Sequence, residues 1–202
     1  MRAAMFDWIL GVIEAWGYPG VFALMLLENV FPPIPSEVIM PLAGYLVGTG
    51  TLALGPTVLA GTLGSVLGTS LWYVLGLRIG TTLLKRWAAR WGRLMTVSPA
   101  DIDAAQDWFD RRGGAAVLVG RMIPAVRTLI SVPAGMARMG LGRFLAFTVL
   151  GSLLWTLALT TAGLLLQANY ARVADFIDPL SKLVVAVVIG IYLYRVATWR
   201  PR

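Results

Sequence analysis

Four charged side chains lie inside short apolar segments, where a charge is costly and commonly marks a substrate or proton path. Glu28 and Glu37 are separated by a proline-rich stretch. A carboxylate removed from water favours its neutral form, whereas a nearby arginine favours ionisation, so either glutamate could take up and release a proton. Arg121 and Arg127 lie on the two sides of a proline, and their planar guanidinium groups could converge on one phosphate. The alternative is that these charges only pair with each other and hold the segments together.

The elements that position these charges are predicted to be membrane helices, because 58% of the 202 residues are hydrophobic and only 13% are charged. The chain has no Cys and no His, which excludes disulfides, thiolate nucleophiles, imidazole bases and the usual zinc and haem ligand sets. Any chemistry would have to use Asp, Glu, Arg, Lys, Ser, Thr or Tyr. We expect no metal site and no cofactor, and we do not expect an enzyme. The formal net charge of +7 comes from basic residues beside apolar segments, which favours anionic lipid over nucleic acid as a partner.

Two segments, 20–48 and 114–136, consist of short apolar pieces interrupted by proline. Each piece is too short to cross a hydrocarbon core, which needs about 20 helical residues. Such a pair is typical of a re-entrant helical hairpin, which enters and leaves the membrane on one side. The residues predicted to form the two turns are Pro32, Pro33, Pro35 and Pro124. A single spanning helix bent at the prolines is the alternative for the first segment.

Three further segments are predicted to span the membrane: 52–78, 142–168 and, more marginally, 178–199. Residues 1–16 and 82–112 combine apolar stripes with charged residues and are predicted to be amphipathic helices at the interface. The basic residues of the second of these segments and of the C-terminus place both on the cytoplasmic face.

The two halves of the chain resemble each other. PLAGYLVGTG at 41–50 is echoed by PAGMARMG at 133–140, and AGTLGSVLGTSLWYVLG at 60–76 is echoed by TVLGSLLWTLALTTAG at 148–163. One span between the hairpins would put them on opposite sides, so the repeats would be inverted. The predicted fold is an all-α membrane protein, a single domain over 1–202. It has two inverted repeats, each a re-entrant hairpin followed by a transmembrane helix, plus interfacial helices and a C-terminal transmembrane helix.

Three motifs in this order resemble the DedA family, whose core is also called the VTT or SNARE-associated domain. They are ENVFPPIPSE at 28–37, GRMIPAVR at 120–127 and AGMARM at 134–139. The resemblance implies a polytopic protein of the bacterial plasma membrane with two opposed re-entrant hairpins. It also implies a link to membrane-potential homeostasis and to recycling of the lipid carrier undecaprenyl phosphate.

The family's essential acidic pair falls on Glu28 and Glu37, and its essential arginines fall on Arg121 and Arg127. The first functional hypothesis is therefore a transporter that moves a polyprenyl-phosphate carrier between leaflets. The arginines would bind the lipid phosphate, and the two glutamates would couple transport to protons or other cations.

Three alternatives stay open at this point. A proton-coupled exporter of small cations or drugs would use the carboxylates to bind its substrate. A membrane assembly factor would use the charges only for packing. A lipid phosphatase or transferase is disfavoured because the usual membrane enzymes of that kind need His, which the chain lacks. Whether the protein forms a homo-oligomer is also left open by the sequence.

Overall fold

A computed structural model describes residues 2–31, 36–95, 98–123 and 126–166. All regular secondary structure in these ranges is helical, and no strand occurs in them. The helices are α1 (Arg2–Trp16), α2 (Tyr18–Val30), α3 (Ser36–Gly48), α4 (Leu54–Met95), α5 (Pro99–Arg112), α6 (Gly114–Arg121), α7 (Ser131–Met136) and α8 (Leu141–Leu165). Two sets of predicted features lie outside the described residues: the C-terminal span at 178–199, and the turn prolines Pro32, Pro33, Pro35 and Pro124.

Two of these helices are long and apolar enough to cross a membrane. They are the Leu54–Leu83 part of α4, with 30 residues, and α8, with 25 residues, both above the roughly 20 that a hydrocarbon core requires. The outer face of α4 exposes a leucine at every fourth position, at Leu59, Leu63, Leu67 and Leu71. Such a face is suited to contact with lipid chains. The architecture is that of a helical membrane protein.

The long helix α4 continues beyond the residues predicted to span. It runs to Met95 and contains Gly80 at a φ of 62°, close to the predicted boundary between the span and the surface segment. An exposed ion pair between Lys85 of α4 and Asp103 of α5 joins this extension to the next helix.

A glycine with a positive φ immediately precedes two of the short helices. Gly17 precedes α2 with a φ of 61°, and Gly113 precedes α6 with a φ of 45°. This left-handed backbone is accessible to glycine at no steric cost. In α2 the next residues are Tyr18 and Pro19, and proline is favoured in a first helical turn because it gives up no hydrogen bond there.

The buried apolar residues form two separate clusters within the described part of the chain. One joins α1, α2 and α3, and its members include Ile13, Met25 and Ile39. The other joins α4 to α8 and includes Val117 and Phe144. The short helices α2 and α3 therefore share one buried apolar cluster, and the short helices α6 and α7 share the other.

The short helices pack on both long helices in a crossed pattern. In the first pair, α2 packs on α4 and α3 packs on α8. In the second pair, α6 packs on α8 and α7 packs on α4. The first helix of each pair thus contacts the long helix that follows it in sequence, and the second contacts the other long helix.

Glycines make the crossed contacts close. A Cβ added at Gly44 would overlap the carbonyl oxygen of Thr160, and one added at Gly163 would overlap that of Pro41. Gly76 and Gly135 have the same relationship to carbonyl oxygens across the α4–α7 contact. Small residues let membrane helices approach backbone to backbone, so van der Waals packing and hydrogen bonds can hold them together without a hydrophobic driving force.

The two long helices cross each other with polar residues between them. The hydroxyl oxygens of Thr62 and Thr156 are 2.9 Å apart, and those of Ser65 and Ser152 are 3.3 Å apart. Since the position on α8 falls as the position on α4 rises, the two helices run antiparallel at the crossing.

We expect Gly163→Ala to destabilise the protein, because the new methyl group would push α8 away from the backbone of α3. Overpacking of this kind typically costs about 1–3 kcal/mol. Gly142→Ala is the matched control on the same helix, since a Cβ there meets nothing within 4 Å. Thermal unfolding of the purified protein in detergent should show a lower Tm for Gly163→Ala and an unchanged or slightly higher Tm for Gly142→Ala. Equal Tm values for the two variants would contradict the close α3–α8 contact.

Candidate functional site

Two of the charges singled out in the sequence meet in a buried ion pair. Arg127 Nη2 donates to Glu28 Oε1, although the two residues are 99 positions apart. The exposed fraction of the side chain is 7% for Glu28 and 6% for Arg127. Glu28 lies near the end of α2, and Arg127 lies between α6 and α7. The pair therefore joins the two pairs of short helices.

Asn29 holds the Glu28 carboxylate through the oxygen that Arg127 does not contact. Its Nδ2 donates to Glu28 Oε2 at 2.6 Å and to the Met25 carbonyl at 2.8 Å. Its own Oδ1 accepts from Ser65 Oγ at 3.4 Å, and its carbonyl accepts from the Trp72 indole at 2.8 Å. The fully buried Asn29 thereby fixes Glu28 against α4.

Trp155 of α8 contacts Arg127 and also the start of α3. Its indole Nε1 lies 3.4 Å from Ser36 Oγ, at the start of α3. The Arg127 guanidinium carbon lies 5.7 Å from the centre of the Trp155 ring, within the range of a cation–π interaction. The aromatic ring thus gives Arg127 a second favourable contact besides Glu28.

Arg121 has a different environment from Arg127. Its Nη2 donates to Ser131 Oγ at 3.1 Å and to Thr148 Oγ1 at 3.4 Å, and its exposed fraction is only 2%. Its buried Nε has no hydrogen-bond partner among the described residues. Gly151 of α8 makes room for the Arg121 side-chain stem, since a Cβ there would lie 2.8 Å from Arg121 Cβ.

The four predicted charges share one electrostatic neighbourhood. Arg121 interacts electrostatically with both Glu28 and Arg127, and Glu37 interacts with Glu28. Glu37 lies in the first turn of α3 and is half-buried. Its carboxylate makes no hydrogen bond or ion pair to any described residue. The structure thus pairs Glu28 directly with Arg127, while Arg121 and Glu37 lie nearby without a carboxylate–guanidinium contact of their own.

The polar partners of these charges were not singled out as functional from the sequence. One signal for them exists on α8, where hydroxyl residues recur every four positions at Thr148, Ser152, Thr156 and Thr160. That spacing puts them on one face of a helix, and all four are buried. For Asn29 the sequence shows only that it follows Glu28, because its contacts with Ser65 and Trp72 depend on how α2 packs on α4. Among the described residues no group of three acidic side chains could hold a metal ion.

The VTT domain model matches residues 34–165 of the chain. This protein belongs to the VTT domain family. The family predicted from the three sequence motifs is therefore confirmed, and the matched range includes Glu37 and both arginines. No solved structure matches the chain.

Several curated bacterial proteins are similar to this VTT domain protein over most of their length. It is 40% identical over 186 residues to an alkaline phosphatase-like protein of Lactococcus lactis subsp. cremoris, covering 92% of this chain and 87% of that protein. It is 31% identical over 182 residues to undecaprenyl phosphate transporter A of Staphylococcus aureus, covering 90% of each. The transporter of the same name from Bacillus subtilis is 30% identical over 188 residues, covering 91% of this chain and 90% of that protein.

We expect the Glu28–Arg127 pair to show strong energetic coupling in a double-mutant cycle. Arg127→Met and Glu28→Leu each leave one buried charge without its partner, which commonly costs about 3–5 kcal/mol. The double variant removes both charges and should recover most of that loss. The measurement is the unfolding free energy of the four proteins in detergent. Additive losses in the double variant would contradict a direct buried pair.

Proposed function

We propose that this VTT domain protein moves a polyprenyl-phosphate lipid between the leaflets of the bacterial plasma membrane, with transport coupled to protons. The observation that carries the proposal is the buried Glu28–Arg127 ion pair, which joins two apolar helix pairs. Two relatives that are named undecaprenyl phosphate transporter A support the same substrate class.

A polar niche between the short helices addresses the main energetic barrier to lipid transfer. The prohibitive step is drawing a charged phosphate through hydrocarbon, because an ion loses its hydration there. Arg121 and Arg127 would replace that hydration with charge-assisted hydrogen bonds to the phosphate oxygens. The lipid tail would stay in the bilayer, next to the exposed apolar residues of the long helices.

The ion pair gives a physical link between a proton and the phosphate. While Glu28 is ionised, its carboxylate compensates the charge of Arg127, and Arg127 therefore attracts another anion only weakly. Protonation of Glu28 would leave Arg127 without a counter-charge, and the phosphate could then take the place of the carboxylate. By thermodynamic reciprocity, the phosphate on Arg127 would also favour the protonated form of Glu28. Glu37, which is within electrostatic range of Glu28, would influence the same step.

Access from the two membrane faces would follow from the predicted inverted repeats. The antiparallel crossing of α4 and α8 and the crossed packing of the short helices support that interpretation. Two re-entrant hairpins that approach from opposite faces could then open the niche to one leaflet at a time. In this proposal the C-terminus would lie on the cytoplasmic side, as the positive-inside rule predicts from its basic residues.

The alternatives fit the site less well. A cationic or drug substrate would approach the Glu28 carboxylate against the positive charges of Arg127 and Arg121, which both act on that carboxylate. The phosphatase-like name of the Lactococcus lactis relative suggests phosphate chemistry, but this chain has neither a His nor a Cys nucleophile. Binding of a phosphate ester without hydrolysis agrees with the two relatives that are named as transporters.

Leaflet exchange of a labelled polyprenyl phosphate in proteoliposomes tests the proposal. We expect the wild-type protein to catalyse exchange and an imposed pH gradient to bias it. Arg127→Ala should slow exchange at least tenfold, because the phosphate loses one of its two cations. Glu28→Gln should abolish the response to the pH gradient, because Gln does not titrate.

Lys85→Ala is the matched control for removal of a cation, since Lys85 belongs to the exposed pair with Asp103. We expect its exchange rate to equal that of the wild type. Absence of exchange in the wild type would overturn the lipid-transport proposal. Wild-type exchange in a stably folded Arg127→Ala variant would indicate that the charges only pack.

A further inference from the structure

Arg121 is a buried cation whose described contacts are all neutral. Its two hydrogen-bond acceptors are hydroxyl oxygens, and its Nε has no acceptor among the described residues. A buried charge is normally compensated by a counter-charge, because the desolvation penalty of an ion amounts to several kcal/mol. Arg127 has Glu28 for this purpose, whereas no carboxylate of the described residues lies within hydrogen-bond distance of Arg121. Arg121 is thus the arginine with capacity for an added anion.

The Thr148 hydroxyl behaves differently from the other buried threonines of the long helices. Most hydroxyls of this kind donate to the backbone carbonyl one helical turn earlier. The donors are Thr57, Thr62, Thr69, Thr156 and Thr160. Thr148 accepts from Arg121 instead, and the structure gives its hydrogen no acceptor within the described ranges. A hydroxyl that accepts one bond keeps its own hydrogen for a further acceptor.

Ser131 has the same hydrogen-bonding pattern as Thr148. It is fully buried, it accepts from Arg121 Nη2, and no described residue accepts its hydrogen. Both hydroxyl oxygens accept from the same guanidinium nitrogen, at 3.1 and 3.4 Å, and the unpartnered Nε belongs to the same guanidinium group. Ser131, Thr148 and the Arg121 Nε thus supply three donors at one buried positive charge, and no described residue accepts from them.

We propose that Arg121, Ser131 and Thr148 form a cradle for a phosphate monoester, with one donor for each of its three unesterified oxygens. The proposal deepens the transport function and rests on it, since the monoester would be the headgroup of the transported lipid. The donors are buried at the contact between the second helix pair and α8. The phosphate would therefore enter the cradle when that contact opens and would be occluded when it closes.

The cradle gives a basis for rejecting other anionic lipids. Phosphatidylglycerol and related membrane lipids are phosphodiesters, which offer only two unesterified oxygens and a single negative charge. With a diester, two of the three buried donors would have to share one oxygen, and the less favourable geometry would weaken their hydrogen bonds. A site that must find a scarce monoester among abundant diesters gains selectivity from this arrangement.

The two arginines would then act in sequence. The phosphate would first occupy the cradle at Arg121 while Arg127 still pairs with Glu28. Protonation of Glu28 would release Arg127, whose positive charge acts on Arg121 and would therefore also attract a phosphate bound there. Ser131 and Thr148 are in this scheme substrate-binding residues, whereas Glu28 controls the second cation.

Binding of labelled farnesyl phosphate to the full chain in nanodiscs tests the cradle. We expect Thr148→Val and Ser131→Ala each to weaken binding about tenfold, the effect of removing one hydrogen bond to a charged group. Thr148→Ser keeps the hydroxyl and should bind within about twofold of the wild type. Thr160→Val is the matched control, since Thr160 is a buried threonine of the same helix that donates to its own backbone. Its affinity should not change.

Competitors distinguish the source and form of the phosphate. The monoester phosphatidic acid should displace the probe at least tenfold better than the diester phosphatidylglycerol. Displacement by inorganic phosphate as strong as that by the lipid would assign the cradle to free phosphate, and displacement by lipid monoesters alone would assign it to a headgroup.

Two results would overturn the cradle, and they differ in what they mean for transport. Wild-type affinity in a folded Thr148→Val and Ser131→Ala double variant would reject the cradle while leaving lipid transport through the arginines intact. Failure of the wild-type protein to bind any phosphate monoester would reject both proposals.

Discussion

The buried pair of Glu28 and Arg127 sets the main constraint on this structure. Each charge alone would cost several kcal/mol in an apolar surrounding, so the two must stay together or be compensated in another way. They lie on different helix pairs and almost a hundred residues apart. The first and second halves of the chain are therefore held in one relative position by electrostatics, and any motion that separates them must bring in a proton or another anion.

The close helix contacts make this pairing geometrically accessible. Gly44 and Gly163 on one side, and Gly76 and Gly135 on the other, let the short helices approach the backbone of the long ones. Larger residues at these positions would overlap the facing carbonyl oxygens and force the helices apart, which would disturb the contact between Glu28 and Arg127. The polar contact between Ser65 and Ser152 at the crossing connects the long helices through Asn29 to the same carboxylate. Packing and electrostatics thus support one arrangement.

Much of the helix order could be predicted from the sequence, because the lengths of apolar runs and the positions of Gly and Pro determine it locally. The candidate charges could also be found, since an ionisable residue in an apolar segment is conspicuous. The pairing of Glu28 rather than Glu37 with Arg127 could not be predicted, because it depends on how α2 and α3 are rotated about their axes. The same holds for Ser131, whose importance comes from its distance to Arg121 in three dimensions.

The crossed packing of the short helices has a consequence for biogenesis. Gly44 of α3 packs against the backbone of α8 at Thr160, which lies more than a hundred residues later in the chain. At a synthesis rate of about 5–20 residues per second, α3 would wait on the order of ten seconds before that surface emerges from the ribosome. During this interval Glu28 also lacks Arg127. The first half must therefore be sheltered by the insertion machinery or stay near the membrane surface until the second half arrives.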